Sequence, residues 1–238
     1  MHYIRLPLKG SYNTRDLGGY PTYDGNATRF NQFLRSDEVG YLNDEDITFL
    51  KEYGVKTVID LRTNDELEQI PNPFENDPMI KFHHISLISQ KMIQEMTKNF
   101  NTIPMDVNYI NILELEKRPI AKVLKVIHES EDGCVLFHCS AGKDRTGLIA
   151  MLLLGIAGVE HQDIITNYEP SFANISHNPR VKKMIMRDVP AMMLSNYMFM
   201  QKTLKHIDYK YGSINDYVKC LGFIHSEINQ IRNRLVNR

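Results

Sequence analysis

Between residues 134 and 157 the chain passes from one apolar run to another through a short polar loop. The first run is Cys134-Val135-Leu136-Phe137, and the loop is His138-Cys139-Ser140-Ala141-Gly142-Lys143-Asp144-Arg145-Thr146-Gly147. A longer stretch, Leu148 to Ala157, follows and is apolar nearly all round. A brief run without polar interruption reads as a buried strand, and an all-apolar helical stretch reads as a buried helix. A strand that feeds such a helix through a tight loop belongs to a layered α/β fold. Its loop then lies at the carboxyl edge of a mainly parallel sheet, where such folds bind ligands.

The rest of the chain agrees with this frame. Val55-Lys56-Thr57-Val58-Ile59 is a β-branched run that ends at Asp60-Leu61-Arg62, and Phe82 to Leu87 reads as a further strand. Tyr20 to Asp37 reads as a hairpin region, with Asp24-Gly25 supplying the turn before Arg29 to Arg35. Asp44 to Tyr53 is a short helix stopped by Gly54, and Ile120, Val123, Leu124 and Ile127 share one helix face. After Glu160 the strand signals cease. Asp163 to Tyr168, Arg180 to Asp188, Met192 to Tyr209, Ile214 to Leu221 and Ser226 to Val236 all read as helices. The expectation is a single domain over 1–238: an α/β core in 1–159, whose central, mainly parallel sheet is flanked by helices, and a helical portion in 160–238. That portion either packs on the sheet or forms a lid over the site. With 42% hydrophobic residues, the chain can fill one core.

The formal charge of −1 leaves no global field to recruit nucleic acid or an acidic membrane, so any attraction for phosphate must be local. Three cysteines make no disulfide framework, which favours a reducing compartment. Met1 to Arg5 lacks the regions of a secretory signal, and Leu148 to Val159 is too short to span a bilayer. The reading is a cytoplasmic protein without stable membrane insertion.

Phosphate-ester chemistry accounts for each part of the loop. A phosphoryl dianion needs donors that converge on three oxygens, and a short loop entering a helix offers successive backbone N–H groups backed by the helix dipole. Ser140, Ala141, Gly142, Lys143 and Thr146 are the expected phosphate-binding positions, with Gly142 allowing the tight path. Arg145 can grip two phosphate oxygens with its planar fork. A free thiol has a pKa of roughly 8.5 and is only about 3% thiolate at neutral pH. Lowering it by ~3 units, about 4 kcal/mol of differential stabilisation, would make Cys139 a nucleophile. Thr146 can donate a hydrogen bond to the sulfur, and His138 orients the loop through a hydrogen bond. Asp144 is the candidate acid for the departing oxygen and then the base for water. Lys143 adds a second cation, suited to highly phosphorylated substrates. The chemistry requires no metal or other cofactor.

The loop resembles that of the cysteine-based protein tyrosine phosphatase superfamily, and most closely the bacterial tyrosine/lipid phosphatases whose loop reads H-C-x-x-G-K-D-R-T. Asn13 to Gly19 is similar to that family's N-x-R-D-L-G-G signature, and Asp60-Leu61-Arg62 with Glu66 to its D-L-R…E segment. Tyr211-Gly212-Ser213 and Leu221-Gly222 are similar to its C-terminal helical portion. The resemblance implies a largely parallel sheet flanked by helices. It also implies activity on phosphotyrosine, on phosphoserine or phosphothreonine in some members, and on phosphoinositides. The partners would then be a phosphorylated protein or a phosphoinositide. An Asp inside the loop resembles the myotubularin arrangement, and no W-P-D segment is present to supply the acid instead. A non-catalytic phosphate-binding module, or a sulfur-transfer or arsenate-reducing enzyme, is the competing reading. A nucleotide-binding P-loop is excluded, because Asp144 follows Gly142-Lys143 where Ser or Thr is required.

Other positions carry alternatives. Asp60 and Arg62 follow a strand and reach the same rim as Cys139, or Arg62 pairs with Glu66 and merely holds the loop. Asp16 is a support or a rival acid, or else it bonds its own turn. His83-His84 alternate across a strand and do not share a metal. Cys134 is core, or a redox partner for Cys139; Cys220 has no role. Met184, Met186, Met192, Met193, Met198 and Met200 fill a core or line a lid. Lys182, Lys183 and Arg187 form a solvated face, or meet an anionic substrate or a membrane.

Overall fold

Strand β5 (Cys134–His138) is buried at every position, and it is the axis on which the fold is built. In this computed structural model, which describes residues 4–90, 92–94, 103–130, 133–184 and 193–236, the sheet has five strands. Their order is β1 (Arg15–Asp16), β2 (Phe33–Ser36), β5, β3 (Val55–Asp60) and β4 (Lys81–His84). Only the β1–β2 pair is antiparallel. A central parallel strand covered on both faces needs the continuous apolar run that Cys134 to Phe137 provides.

The register sets out the rim. Ser36 pairs with His138, His138 with Asp60, and Asp60 with His84, so these residues form one row at the carboxyl edge. Cys139 is the next residue along the middle of that row.

The two faces of β5 enter separate cores. Val135, Phe137 and Cys139 face a large cluster with Phe33 and Ile59, while Cys134 and Leu136 face a smaller one with Leu34, Leu50 and Val58. Cys134 and Cys139 therefore leave on opposite faces, roughly 16 Å apart along an extended strand. That is far beyond disulfide reach, so Cys134 is core and not a redox partner. The smaller cluster is covered by α1 (Asp44–Glu52), which is opened by a capping box between Asn43 and Asp46. Next along the chain come α2 (Asn64–Gln69), α3 (Met105–Leu115) and α4 (Lys117–Glu129). The last buries Ile120, Val123, Leu124 and Ile127 as the periodicity predicts.

Helix α5 (Asp144–Ala157) lies against the large cluster and ends at Gly158 in the left-handed conformation. It is buried all round because further helices cover its outer side. These are α6 (His161–Tyr168), α10 (Ile214–Cys220) and α11 (His225–Leu235), while α7 (Pro170–Ser176), α8 (Pro179–Met184) and α9 (Tyr197–Tyr211) complete the helical part. A Cβ on Gly155 would lie 2.2 Å from Ile214 Cδ1, so glycine lets α10 cross α5 closely.

Some expectations are revised. The turn at Gly25 closes only a small bridge, Pro21 with Ala27, and the antiparallel partner of β2 is Arg15–Asp16. The strand expected over Phe82 to Leu87 is Lys81–His84. Helix α7 lies outside the helices that the sequence pattern predicts. The expected helix from Arg180 is described as far as Met184, and Met186, Arg187, Met192 and the Met184 side chain lie outside the described residues. Met200 is buried and Met198 exposed, so the methionines share no single face. Among the described residues no helix is long and apolar enough to cross a membrane.

Candidate active site

The loop after β5 is fixed from its outer side through its carbonyl groups. His138 O accepts from Leu61 N (2.9 Å) and Ser140 O from Glu38 N (3.1 Å). Ala141 O accepts from Asn13 Nδ2 (3.0 Å), and Gly142 O from both Arg35 Nη2 (2.8 Å) and Asn13 Nδ2 (3.2 Å). A planar trans peptide points its N–H opposite to its carbonyl. With these carbonyls tied outward, the N–H groups of Ala141, Gly142 and Lys143 turn to the concave side. Gly142 has φ +62°, and a Cβ there would meet the backbone of Ser36 and Asp37 at 2.6 Å, so only glycine keeps the loop this close to β2.

Within the loop Cys139 is 1% exposed, and Thr146 Oγ1 donates to its sulfur at 3.2 Å. Arg145 stands in the first turn of α5 and places its fork on Glu66, Nη1 to Oε2 at 2.5 Å and Nη2 to Oε1 at 2.7 Å. Glu66 also accepts from Ser140 Oγ (2.6 Å) and Thr63 N (2.8 Å). Burial would raise the Glu66 carboxyl, but Arg145, Ser140 and Thr63 override it and hold it at about 2. Burial likewise works against the Arg145 charge, and Glu66 followed by the Cys139 sulfur more than restores it.

This corrects the Arg62–Glu66 ion pair. Arg62 donates to Asp60 (2.6–3.1 Å) and to Glu38 (2.7 Å), and it meets Glu66 only at the backbone oxygen. Arg62 precedes α2, whose cap is Thr63, so helical i,i+4 spacing does not apply to it. Asp60 also accepts from Asn72 Nδ2 (2.9 Å), and His138 Nε2 lies 3.3 Å from its Oδ2. Burial pushes Asp60 up, but His138, Arg62 and Asn72 hold it well below the usual carboxylate range. Asp60 and His138 thus form a support beneath Cys139. Asp16 does not. It accepts from Gly18 N (2.7 Å), Asn31 N (2.8 Å) and Tyr53 Oη (2.7 Å), and Tyr53 precedes β3 at the opposite edge of the sheet.

Asp144 sits at the helix start, its side chain 29% exposed. It accepts from Tyr109 Oη, which is 2.8 Å from Tyr168 Oη, and lies 3.1 Å from Lys143 Nζ. Lys143 is 3% exposed and also donates to Leu194 O (3.2 Å). Its charge is therefore turned to Asp144 and the chain before α9, away from the open position expected of a second phosphate-binding cation.

The sequence reading missed Tyr109, Arg35 and the role of Glu66. Tyr109 on α3 and Glu66 on α2 reach the loop only through the fold. Arg35 does leave a signal, being a charged residue directly after the apolar pair Phe33-Leu34 of β2.

The profile of the tyrosine phosphatase family matches residues 6–237. A tyrosine-protein phosphatase of Nostoc commune is 38% identical over 162 residues, covering 67% of this chain and 55% of the relative, so the chain spans about half that protein's length. The triple specificity protein phosphatase PtpB of Mycobacterium tuberculosis is 22% identical over 276 aligned residues, 96% of this chain and 98% of the relative. Among solved structures, Pseudomonas aeruginosa TpbA aligns with 15% identity over 83% of this chain and 91% of its own, at a TM-score of 0.40. The matched span takes in the whole sheet and the cysteine loop at its rim, and the chain belongs to the tyrosine phosphatase family.

Proposed function

We propose that the chain hydrolyses phosphotyrosine through a cysteinyl-phosphate intermediate. The observation that carries this is a sulfur in a loop of inward-turned amides, 3.2 Å from the Thr146 hydroxyl and close enough to Arg145 to act on its charge, with the Arg145 fork set by Glu66. In the first step Cys139 Sγ forms a bond to phosphorus, the P–O bond to the tyrosine ring breaks, and Asp144 gives the departing oxygen its proton. In the second step water attacks phosphorus, the S–P bond breaks, and Asp144 takes the proton from water. Inorganic phosphate leaves and the thiolate is restored. Arg145 spans two equatorial oxygens, and the loop amides hold the charge that develops on the phosphoryl group.

Lys143, enclosed by Asp144 and Leu194, lends no support to a substrate bearing additional phosphates, so the reading commits to the aryl ester. Turnover of an aryl phosphate tests it. Cys139→Ser should abolish turnover while the protein still binds the substrate; full activity of that variant would end the proposal. Asp144→Asn should slow esters with poor leaving groups by about 10²–10³ and spare good ones. Equal losses on both would assign the proton to another group. A wild-type protein that holds phosphotyrosine without turning it over would favour the non-catalytic module.

A further inference from the structure

Two guanidiniums lie behind the phosphate loop, and no carboxylate is hydrogen-bonded to either among the described residues. Arg35 on β2 is fully buried and Arg15 on β1 nearly so. Arg35 donates from Nη1 to Asn167 Oδ1 (2.5 Å) and from Nη2 to Gly142 O (2.8 Å). Arg15 donates to Asn13 Oδ1, Asn167 O (2.8 Å) and Ser171 Oγ (3.2 Å). All these acceptors are neutral. Asp37 acts on Arg15 only at a distance, and its carboxylate is occupied by Ser11 Oγ and the N–H groups of Tyr12 and Asn13.

Buried charge without an opposite partner is costly, and a fold retains it where an anion arrives. We infer that Arg35 is a positioning residue for the phosphate loop, aiming the Lys143 amide at the bound anion and supplying a second fixed positive charge behind Cys139. The geometry gives both effects. A cation on Gly142 O fixes the plane of the 142–143 peptide, and it polarises that peptide so that the Lys143 N–H becomes a stronger donor. Asn13 does the same, without charge, for Ala141 O. Arg35 also runs beside the first turn of α5, where its Nη2 lies 3.6 Å from the position a Cβ on Gly147 would take. Its charge therefore adds to the helix dipole at the same point. Burial draws the Arg35 guanidinium down to about 10, and Tyr20, the Cys139 sulfur, Tyr168 and Tyr109 pull in the opposite direction.

The inference rests on Cys139 as the nucleophile, and two readouts test it without turnover: inorganic phosphate affinity, and the pH dependence of Cys139 alkylation by iodoacetamide. Arg35→Gln should bind phosphate about tenfold more weakly and be alkylated about tenfold more slowly at pH 6, as a smaller thiolate fraction requires. Arg35→Lys keeps the charge and loses the fork, so alkylation should stay within about twofold while phosphate binding weakens. A cooperatively folded Arg35→Gln with unchanged alkylation and phosphate affinity would overturn the inference. Where Arg35→Gln does not fold, Arg35→Lys decides: unchanged phosphate affinity would sink it equally, and weakened affinity with preserved alkylation would bear it out. An unmutated protein that neither binds phosphate nor cleaves an aryl phosphate would instead sink the proposed function itself.

Discussion

Arg35, on β2, and Arg62, two residues beyond β3, flank β5 from its two sides, and both are wholly removed from solvent. Arg62 is enclosed by the carboxylates of Asp60 and Glu38, so its charge is cancelled where it sits. Arg35 is held by a carbonyl and an amide, so its charge is not. The contrast separates two uses of one side chain. Arg62 is a strut that fixes Asp60, and through Asp60 the His138 that precedes Cys139. Arg35 carries uncompensated potential to the back of the proposed phosphate loop. Burial alone does not distinguish them; the charge of the acceptors does.

The largest expected effect follows directly. Arg62→Met strands two buried carboxylates and should cost about 3–5 kcal/mol of unfolding free energy in urea titration. Arg35→Gln strands no anion and should cost less, about 1–3 kcal/mol for the lost hydrogen bonds. A larger loss for Arg35→Gln than for Arg62→Met would break the comparison, because Arg35 would then be the principal strut.

Sequence legibility divides along similar lines. The strand–loop–helix unit could be read directly, because its apolar runs, its glycine and its arginine are contiguous and each responds to local physics. Strand β1 could not, since Arg15-Asp16 has no apolar pattern and exists only because β2 offers it a register. The Arg62–Glu66 pairing does not form because the Thr63 cap lies between them, and i,i+4 spacing brings side chains together only within a helix. The true partner of Glu66, Arg145, lies 79 residues away and is brought close by the parallel order of β3 and β5. Tyr109 on α3 gave no signal in its own segment, because its partner Asp144 belongs to α5.

Glu66 sharpens the comparison, because it places a carboxylate on Arg145, the arginine proposed to meet substrate. Glu66→Gln should leave the fold largely intact, at a cost of about 1 kcal/mol, and raise KM for an aryl phosphate about five- to tenfold as Arg145 loses its orientation. The pH dependence has a definite sign. The folded carboxyl at about 2 lies below its ordinary 4.5, so the pair stabilises fully above that ordinary value and is lost as pH falls through the folded one. The difference in unfolding free energy between the parent and Glu66→Gln should therefore be constant above about pH 5 and shrink on acidification towards pH 2. A difference that persisted undiminished at the acid end would mean that the Arg145–Glu66 pair is not its source.

Tyr109→Phe should give the smallest effect and probes the opposite side of the loop. The Tyr109 ring meets Tyr168 edge-on at 6.0 Å, and that contact survives removal of the hydroxyl. Burial, and after it the Asp144 charge, pushes the Tyr109 phenol well above its usual value, so it acts as a donor throughout the working pH range. Its loss removes one of the groups that hold the Asp144 carboxylate among the described residues and leaves Lys143 in place. Stability should change by about 1 kcal/mol or less. Turnover should fall about three- to tenfold on phosphate esters with poor leaving groups and hardly at all on good ones, since only the former need the proton in the transition state. Uniform slowing across leaving groups would instead place the Tyr109 hydroxyl among the groups that shape the phosphate loop, in the same class as Arg35 and Asn13.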